Sequence, residues 1–453
     1  MFDHIRRIHL VGIGGVGMRA IAEVLLTLGY RVTGSDIKSG ESIGQLRRMG
    51  ARIFLGHRPQ NIQNSDVVVV SSAIAPDNPE IKSAREKNIP VISRAEMLAE
   101  LARLKYTIAI SGTHGKTTTT SLLGWIFQYA GKQPTVLIGG SPNNIGQHSV
   151  VGKGNFLITE ADESDGSFLR LSPAVAVITN IDDDHLDYYR NMKNLLSAFQ
   201  QFASKVPFYG FVVANGDDPN IRRVLSGLNR TYYTYGLGKN NHYQLKNIQL
   251  SPEKSSADVY LENKKIVRIE LARVGQHLLL NSLAALVVAR QLGIKPARVV
   301  AALKKFAGVR RRLEVRGKVG GITVIDDYGH HPTEIRATLQ ALRQQYPEKR
   351  LVVLFQPHRY SRTKLLYKKF PRAFARADYV EIMDIYPAGE PPEKNVSSEM
   401  IIRAWPKGFV PVKKFSRTDD LVRCLKPGDV FLTLGAGSVY KVGEEIIERL
   451  KTE

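Results

Sequence analysis

Short apolar runs recur along the chain, and each ends in a glycine-rich or charged loop that leads into a stretch with helical spacing of apolar residues. The clearest runs cover residues 67–70, 107–110, 175–178, 322–325 and 430–434. Runs this short and rich in β-branched residues predict strands, and the patterns between them predict helices. Strand, loop and helix in repeated alternation indicate an α/β protein with mostly parallel sheets.

The same patterns predict further elements around these runs. They comprise strands at 5–11, 31–33, 91–92, 156–159, 350–355 and 379–383, and helices at 78–87, 281–292 and 294–306, with another ending near residue 28. A helix should begin at Pro332 or Thr333, because proline suits a first turn. Residues 230–269 alternate apolar and polar positions without a helical period, which predicts antiparallel strands at one edge of a sheet.

A glycine-rich turn follows the first strand. It reads Gly12-Ile-Gly14-Gly15-Val-Gly17, it opens a helix, and Asp36 comes about twenty residues later. This pattern is typical of dinucleotide-binding domains, although any diphosphate can use the same cradle of backbone N–H groups. The turn therefore predicts a diphosphate site and leaves the ligand open.

A second glycine loop, Gly112-Thr113-His114-Gly115-Lys116-Thr117, joins the strand at 107–110 to a helix. Such a loop directs backbone N–H groups and the positive end of the helix dipole at a phosphate chain. Lys116 would reach the β- and γ-phosphates, and Thr117 would offer a hydroxyl to Mg²⁺. The loop is two residues shorter than the general phosphate-binding pattern.

Acidic residues follow the next two strands of this part of the chain. One cluster reads Glu160-Ala-Asp162-Glu163-Ser-Asp165, and the other reads Thr179-Asn180-Ile-Asp182-Asp183-Asp184-His185. Carboxylates just beyond the ends of parallel strands, beside a phosphate loop, are suited to bind Mg²⁺. The sequence therefore predicts a magnesium site here.

The last third of the chain carries two polar loops after predicted strands. Asp326-Asp-Tyr328-Gly-His330-His331-Pro-Thr-Glu334 contains adjacent histidines that cannot chelate as an i, i+4 pair does. One of them is predicted to cap the following helix or stabilise the structure, and the other to act in catalysis. His358-Arg359-Tyr-Ser-Arg362 places two guanidinium groups three residues apart, which suits a small carboxylate or a phosphate.

Composition narrows the class of protein. At 453 residues the chain is long enough for two to four domains, and 43% apolar with 23% charged residues is typical of globular proteins. One cysteine, Cys424, excludes an intramolecular disulfide. Glycines interrupt the amino-terminal apolar stretch, which is not typical of a signal peptide, and no apolar run is long enough to span a membrane, so we expect a cytoplasmic protein without a membrane partner. The net charge of +22 is spread along the chain, which favours anionic substrates over nucleic acid.

Five stretches together resemble the Mur ligase family, and within it the alanine-adding members. They begin at Gly12, Ser111, Glu160, Asp326 and Phe355, and the resemblance runs in the expected order from residue 8 to about residue 440. It implies three consecutive α/β domains: a Rossmann-like UDP-sugar-binding domain (1–105), a central P-loop ATP-binding domain (106–312) and a C-terminal Rossmann-like amino-acid-binding domain (313–453). It also implies an ATP- and Mg²⁺-dependent ligase of peptidoglycan precursor synthesis that joins L-alanine to the lactyl carboxylate of UDP-N-acetylmuramate through an acyl phosphate.

The resemblance also implies roles for individual residues. The ATP site would comprise Gly112, Thr113, His114, Gly115, Lys116, Thr117, Thr118, His277, Asn281 and Arg312. The metal ligands would be Thr117, Glu160 and His185. The substrates would contact Gly14, Gly15, Ser71, Tyr328, His330, His358, Arg359 and Arg362. Catalysis would depend on Lys116, His330, Arg359 and Arg362.

The chain differs from family patterns at two places. The family's His-Asn-x-x-Asn stretch stands here as His277-Leu278-Leu-Leu-Asn281, with leucine for the first asparagine. Ligases that act later in the pathway carry a modified lysine about fifteen residues after the metal-binding histidine, whereas this chain has Phe199 and Gln200 there. The second difference favours the alanine-adding member.

Three alternatives remain at this point. A sibling ligase would attach a preformed peptide to the same sugar, a dinucleotide-dependent oxidoreductase would use the first glycine turn for NAD, and a nucleic-acid-stimulated ATPase would account for the positive charge. We expect a monomer or a weak homodimer, and closure of the three domains on binding substrates.

Overall fold

The computed structural model describes residues 4–71, 73–138 and 149–452. The chain forms two compact units, of which unit 1 comprises residues 1–244 and 284–302, and unit 2 comprises residues 245–283 and 303–453. Each unit is built around parallel β-sheet with helices in the connections.

The first sheet of unit 1 contains five parallel strands in the order β3-β2-β1-β4-β5. Its elements are β1 (Arg7–Val11), α1 (Val16–Thr27), β2 (Arg31–Asp36), α2 (Glu41–Arg48), β3 (Arg52–Leu55), β4 (Val67–Val70), α3 (Pro79–Glu86), β5 (Val91–Ser93) and α4 (Arg94–Ala102). The strand order reverses beside β1, and ligands of open α/β sheets bind at that kind of switch point.

The second sheet of unit 1 is larger. Its elements are β6 (Tyr106–Ser111), α5 (Lys116–Tyr129), β7 (Thr135–Leu137), β8 (Ser149–Val150), β9 (Phe156–Glu160), β10 (Val175–Ile178), α6 (Leu186–Tyr189), α7 (Met192–Ser204), β11 (Phe211–Asn215), α8 (Pro219–Leu225), β12 (Tyr232–Gly236) and β13 (Tyr243–Leu250). The strands run β13-β12-β11-β10-β6-β9-β7-β8, and all pairs are parallel except β7 with β8.

The next elements along the chain are β14 (Ser255–Leu261) and β15 (Lys264–Leu271), which pair antiparallel within unit 2, then α9 (Gln276–Gln291) and α10 (Pro296–Lys304). The third sheet follows in unit 2 in the order β16-β17-β21-β18-β19-β20, antiparallel only between β16 and β17. Its elements are β16 (Glu314–Val319), β17 (Ile322–Asp327), α11 (Pro332–Gln345), β18 (Leu351–Phe355), α12 (Tyr360–Leu366), α13 (Phe370–Ala373), β19 (Tyr379–Ile382), α14 (Glu399–Arg403), β20 (Val412–Lys414), α15 (Thr418–Cys424), β21 (Val430–Leu434) and α16 (Tyr440–Thr452).

Burial on both faces of the sheet explains the continuous apolar runs. In β18, Leu351, Val353 and Phe355 belong to one hydrophobic cluster, whereas Val352 and Leu354 belong to another. Successive side chains point to opposite faces of a strand, so a strand covered by helices on both sides needs apolar residues at every position. No helix in the described part of the chain combines the length and apolar character needed to cross a bilayer.

The structure corrects the sequence-based elements in two regions. Antiparallel strands were expected throughout 230–269, but β12 pairs parallel with β11, because α8 provides a crossover that the pattern did not indicate. The antiparallel pairing of β14 with β15 matches that expectation. The helix predicted from Asn281 begins at Gln276, directly after Gly275, whose φ of +145° favours glycine.

Candidate functional site

The second glycine loop is a tight connection between β6 and α5 in unit 1. Gly112 and Gly115 have φ values of +128° and +83°, which favour glycine. A Cβ atom on Gly112 would lie 2.2 Å from Thr179 Oγ1 and 2.9 Å from the Asn180 carbonyl oxygen. The loop therefore needs glycine for its backbone angles and for its close packing against the segment after β10.

That neighbouring segment holds the loop in shape. The Asn180 side chain accepts a hydrogen bond from the His114 N–H at 2.8 Å and donates one to the His114 carbonyl at 2.9 Å. The Asp182 N–H donates to Thr113 Oγ1 at 2.9 Å, and His114 Nε2 lies 3.2 Å from Asp182 Oδ2. Asn180 and Asp182, found in the sequence only as part of an acidic cluster, thus brace the predicted ATP loop.

Lys116, the first residue of α5, is paired with Glu163. Its Nζ atom lies 2.7 and 2.9 Å from the two Glu163 carboxylate oxygens and 2.8 Å from the Gly112 carbonyl oxygen. Burial lowers the pKa of Lys116, but the charges of Glu163, Asp162 and Glu160 outweigh burial and raise it, so the group is an ammonium. Glu163, whose side chain is 1% exposed, was not assigned a role from the sequence.

The predicted metal ligands belong to the elements around this pair. Thr117 is the second residue of α5, Glu160 ends β9, and His185 Nε2 lies 3.8 Å from Glu163 Oε1. Three carboxylates act electrostatically on the single Lys116 ammonium. This excess of negative charge, with oxygen donors from Thr117 and Glu160, fits a hard divalent cation such as Mg²⁺.

The first glycine turn is fixed by β2. The N–H groups of Gly12 and Ile13 donate to the Ser35 carbonyl at 2.8 and 3.0 Å, and the Gly14 N–H donates to Asp36 Oδ2 at 2.8 Å. In a dinucleotide-binding turn the corresponding acidic residue contacts a ribose, whereas here Asp36 is bonded to the turn itself.

A cavity of about 360 Å³ in unit 1 connects this turn with the acidic cluster. Its lining includes Gly15, Gly17, Ser71, Arg94, Glu160 and Asp162. The structure thus brings the predicted substrate residues Gly15 and Ser71 together with the predicted metal ligand Glu160. Arg94, which directly follows β5, was not predicted, although its position at a strand end was visible in the sequence.

In unit 2 the two adjacent histidines have different roles. His331 is the N-cap of α11, with its Nδ1 accepting from the Thr333 N–H at 3.3 Å, and Glu334 completes a capping box. The capping prediction is therefore confirmed for His331. His330 lies outside the helix, with its ring 5.7 Å from Tyr328 and 5.3 Å from His358 between centroids.

Three residues predicted to bind ATP, His277, Asn281 and Arg312, lie in unit 2, and two of them, His277 and Arg312, interact electrostatically. His277 and Asn281 lie four residues apart on α9 and so share a face. Burial, reinforced by the positive charge of Arg312 and opposed by Glu334, lowers the pKa of His277 to about 4. The Arg312 guanidinium lies 5.2 Å from the Tyr328 ring centroid.

The basic loop after β18 contributes His358, Arg359 and Arg362 to the same part of unit 2, where His358 lies beside His330. Arg362 Nη1 lies 3.1 Å from His358 Nδ1, and because a guanidinium only donates, Nδ1 is the unprotonated nitrogen of His358. The His358 ring stacks on Tyr386 at 5.7 Å. Arg359 has a φ of +69°, and its Nε lies 4.0 Å from Glu390 Oε1. His330, His358 and Arg362 are thus neighbours in unit 2.

Comparison with known proteins gives consistent matches along the chain. Three family models match: "Mur ligase family, catalytic domain" at residues 7–106, "Mur ligase middle domain" at 110–289, and "Mur ligase, glutamate ligase domain" at 311–437. A UDP-N-acetylmuramate–L-alanine ligase of Endomicrobium trichonymphae is 48% identical, and the alignment covers 99% of both chains.

Solved structures give the same result. The UDP-N-acetylmuramate–alanine ligase of Thermotoga maritima superposes with a TM-score of 0.82 at 31% identity and covers 98% of this chain and 99% of that one. A UDP-N-acetylmuramate:L-alanyl-γ-D-glutamyl-meso-diaminopimelate ligase of Neisseria meningitides has a TM-score of 0.62 at 27% identity, covering 68% of this chain and all of that one. With three α/β domains matched in order and a full-length relative at 48% identity, this chain belongs to the Mur ligase family.

Proposed function

We propose that this protein joins L-alanine to the lactyl carboxylate of UDP-N-acetylmuramate at the expense of ATP, in peptidoglycan precursor synthesis. The observation that carries the proposal is the 48% identity, over 99% of both chains, to a ligase named for that reaction. The UDP-N-acetylmuramate:L-alanyl-γ-D-glutamyl-meso-diaminopimelate ligase is 27% identical, against 48% for the ligase named for L-alanine, which favours a single amino acid as the acceptor.

The reaction has two chemical steps. The lactyl carboxylate attacks the γ-phosphorus of ATP, ADP leaves, and an acyl phosphate forms. The amine of L-alanine then attacks the acyl carbon, inorganic phosphate leaves, and the nitrogen gives up a proton. A free carboxylate is a poor acyl donor, so phosphorylation supplies the leaving group.

Lys116 stabilises the first step. Its raised pKa keeps it charged, and the loop around it is already shaped by Gly112 and Asn180, so the ammonium needs to exchange only one of its bonds to Glu163 or Gly112 for a phosphoryl oxygen. Thr117, Glu160 and His185 would hold Mg²⁺, which when bound neutralises charge on the phosphates.

Arg94 and the first glycine turn are the proposed site of the UDP diphosphate. The turn offers backbone N–H groups at the start of α1, and Arg94 adds a guanidinium to the wall of the same cavity. Arg94→Ala should raise the KM for the nucleotide sugar by roughly ten- to a hundredfold, because a hydrogen bond to a charged group is lost. Arg103→Ala, which changes an arginine paired with Glu100 on the surface, is the matched control and should leave this KM unchanged.

The residues around His330 in unit 2 would bind the amino acid and remove a proton from its amine. Arg359 and Arg362 are proposed to bind the alanine carboxylate. His330 Nδ1 lies 3.1 Å from the Tyr328 carbonyl oxygen and therefore carries the ring proton, which makes Nε2 the basic nitrogen. We assign His330 Nε2 as the acceptor of the amine proton and Tyr328 as the side chain that orients the ring.

The decisive experiment measures ADP release with ATP, Mg²⁺, UDP-N-acetylmuramate and L-alanine, omitting each in turn. ADP should form at full rate only with all four present, and glycine, L-serine and the L-alanyl-γ-D-glutamyl-meso-diaminopimelate tripeptide should be poorer acceptors. Hydroxylamine in place of alanine should yield the hydroxamate of the muramoyl carboxylate, which reports the acyl phosphate. Absence of ADP with the complete mixture would refute the proposal, and preference for the tripeptide would identify the sibling ligase.

A further inference from the structure

A fully buried carboxylate that the proposed reaction does not use lies behind the first glycine turn. Glu80, the second residue of α3, is 0% exposed. Its Oε2 atom accepts a hydrogen bond from Ser35 Oγ at 2.5 Å and lies 3.3 Å from His57 Nδ1 and 3.5 Å from His9 Nε2. A buried ionised group persists only when its surroundings compensate the charge.

The other side of the carboxylate is also surrounded by donors. Glu80 Oε1 accepts from Asn61 Nδ2 at 2.5 Å and from the Arg58 N–H at 3.3 Å. Burial alone would raise the pKa of Glu80, but the neighbouring His9 and the hydrogen bonds from Ser35 and Asn61 outweigh burial and lower it to about 2. The group is therefore a carboxylate inside the domain at any physiological pH.

This network is joined directly to the turn. Ser35 uses its side chain to bind Glu80 and its carbonyl to accept the N–H groups of Gly12 and Ile13. The neighbouring residue, Asp36, accepts the Gly14 N–H. Three successive N–H groups of the turn thus depend on where Ser35 and Asp36 lie, and Glu80 holds Ser35.

The arrangement of serine, histidine and carboxylate does not form a nucleophilic site. Ser35 Oγ lies 2.9 Å from His57 Nδ1 and donates to the carboxylate, but Ser35 and Glu80 are both 0% exposed, so no substrate reaches the hydroxyl. A nucleophilic serine needs its oxygen open to substrate and bonded to a base. The role of the network must therefore be exerted through the backbone that it holds.

We propose that Glu80, acting through Ser35, is a positioning residue that holds the first glycine turn in the conformation that binds the diphosphate of the nucleotide sugar. The identity of the ligand rests on the proposed function, whereas the effect of Glu80 on the conformation of the turn does not. The side chain touches no substrate, so its loss should change the affinity for the nucleotide sugar and leave the chemical steps unchanged.

Glu80→Gln is a sharp test because every group around the carboxylate is placed to donate. With its NH₂ toward Asn61 and the Arg58 N–H, the glutamine amide faces two donors. With its NH₂ on the other side, it faces the Ser35 hydroxyl, which must then turn its proton away from residue 80 toward His57 Nδ1, 2.9 Å from Ser35 Oγ. We expect the KM for the nucleotide sugar to rise about tenfold or more, since small displacements of a binding group have large effects. The KM values for ATP and alanine, and kcat at saturation, should stay within about twofold of wild type.

Asp66→Asn is the matched control. Asp66 binds the N–H groups of Arg6 and Arg7 at 2.7 and 2.8 Å, and so anchors the opposite, amino-terminal end of β1. Its loss should lower the melting temperature but leave the nucleotide-sugar KM unchanged. Glu80→Asp keeps the charge and should restore part of the affinity lost in Glu80→Gln.

Amide hydrogen exchange of residues 12–18, measured without any ligand, tests the positioning independently of activity. Exchange should be faster in Glu80→Gln than in wild type and unchanged in Asp66→Asn. A folded Glu80→Gln protein with wild-type KM and wild-type exchange would overturn the proposal, as would equal changes in Asp66→Asn.

If Glu80→Gln does not fold, Ser35→Ala provides the test. This substitution removes only the hydrogen bond from Ser35 to Glu80. It should raise the KM for the nucleotide sugar and the exchange rate of residues 12–18 to a smaller extent than Glu80→Gln. No change in either quantity would overturn the proposal. A wild-type protein without ligase activity would refute the proposed function, and the exchange measurement would still decide the positioning role.

Discussion

Replacing Lys116 by methionine removes the ammonium from the second glycine loop and leaves Glu163 without its partner. The lysine side chain is 16% exposed and that of Glu163 is 1% exposed, so the pair lies largely away from water. Glu160 and Asp162 add negative charge nearby. The substitution therefore has two separate consequences, one for catalysis and one for stability.

The two magnitudes follow from different interactions. Loss of a preorganised cation at the transferring phosphoryl group should lower kcat by about 10² to 10³. Removing one partner of a buried pair leaves an uncompensated charge and should lower the free energy of unfolding by roughly 3 to 5 kcal/mol. The double variant Lys116→Met/Glu163→Gln has no uncompensated charge at this pair, so it should recover most of the stability but none of the activity.

The assay combines ADP release under saturating substrates with urea unfolding of each variant. Lys105→Met is the control for loss of a partly buried lysine. Lys105 Nζ donates to Thr135 Oγ1 at 2.8 Å and to the carbonyl oxygens of Gly152 and Gly154 at 2.9 and 2.8 Å, away from any proposed substrate contact. Its replacement should lower stability and leave kcat unchanged.

Two results would refute this reasoning. Near-normal ATP-dependent turnover in Lys116→Met would show that the lysine does not stabilise phosphoryl transfer. A double variant as unstable as Lys116→Met would show that the uncompensated Glu163 charge is not the source of the stability loss.

Three further predictions concern unit 2. Arg362, which is 7% exposed, is proposed to bind the alanine carboxylate, and Arg362→Ala should raise the KM for alanine about ten- to a hundredfold. Lys364→Ala, at a side chain that is 60% exposed, should leave this KM unchanged. Equal effects of the two substitutions would exclude a specific contact between Arg362 and alanine. Because burial lowers the pKa of His277 from 6.5 to about 4, the unfolded chain binds a proton that the folded protein does not between these values. Stability should therefore fall by up to about 3 kcal/mol as the pH drops through that window, and denaturation of His277→Gln should lack this part of the pH dependence. Leu278→Asn restores the family's residue beside His277, a predicted ATP-binding residue, and should lower the KM for ATP without changing that for alanine. An unchanged or higher KM for ATP would count against placing His277 and Asn281 in the ATP site.

The elements that were predicted well share one physical property. Strands β4, β10 and β21 have the predicted bounds because their helix-covered faces require apolar residues at every position, and charged or glycine-rich loops mark their ends. The loops after β4 and β10 contain two of the predicted site residues, Ser71 and His185. The capping role of a histidine in the Pro332 loop was also foreseeable, because a cap depends on residues within one turn.

The elements that were missed depend on distant parts of the chain. The parallel pairing of β12 requires the crossover through α8, and the alternating pattern at 230–269 fits either orientation. Arg94 follows a strand like many surface arginines, and only the cavity wall distinguishes it. Nothing in the local sequence separates Glu163 from Glu160 or Asp162 as the partner of Lys116.

The amino-acid sequence by itself determined the α/β class, the positions of both glycine turns and the order of the polar loops, because periodicity and turn chemistry act over a few residues. The tertiary structure alone decided that Glu163 pairs with Lys116, that Asn180 braces the second glycine loop and that Glu80 binds Ser35 behind the first turn. These contacts join residues 47, 66 and 45 positions apart. Hydrogen-bond geometry and burial select such partners, and both exist only after the strands have assembled into sheets.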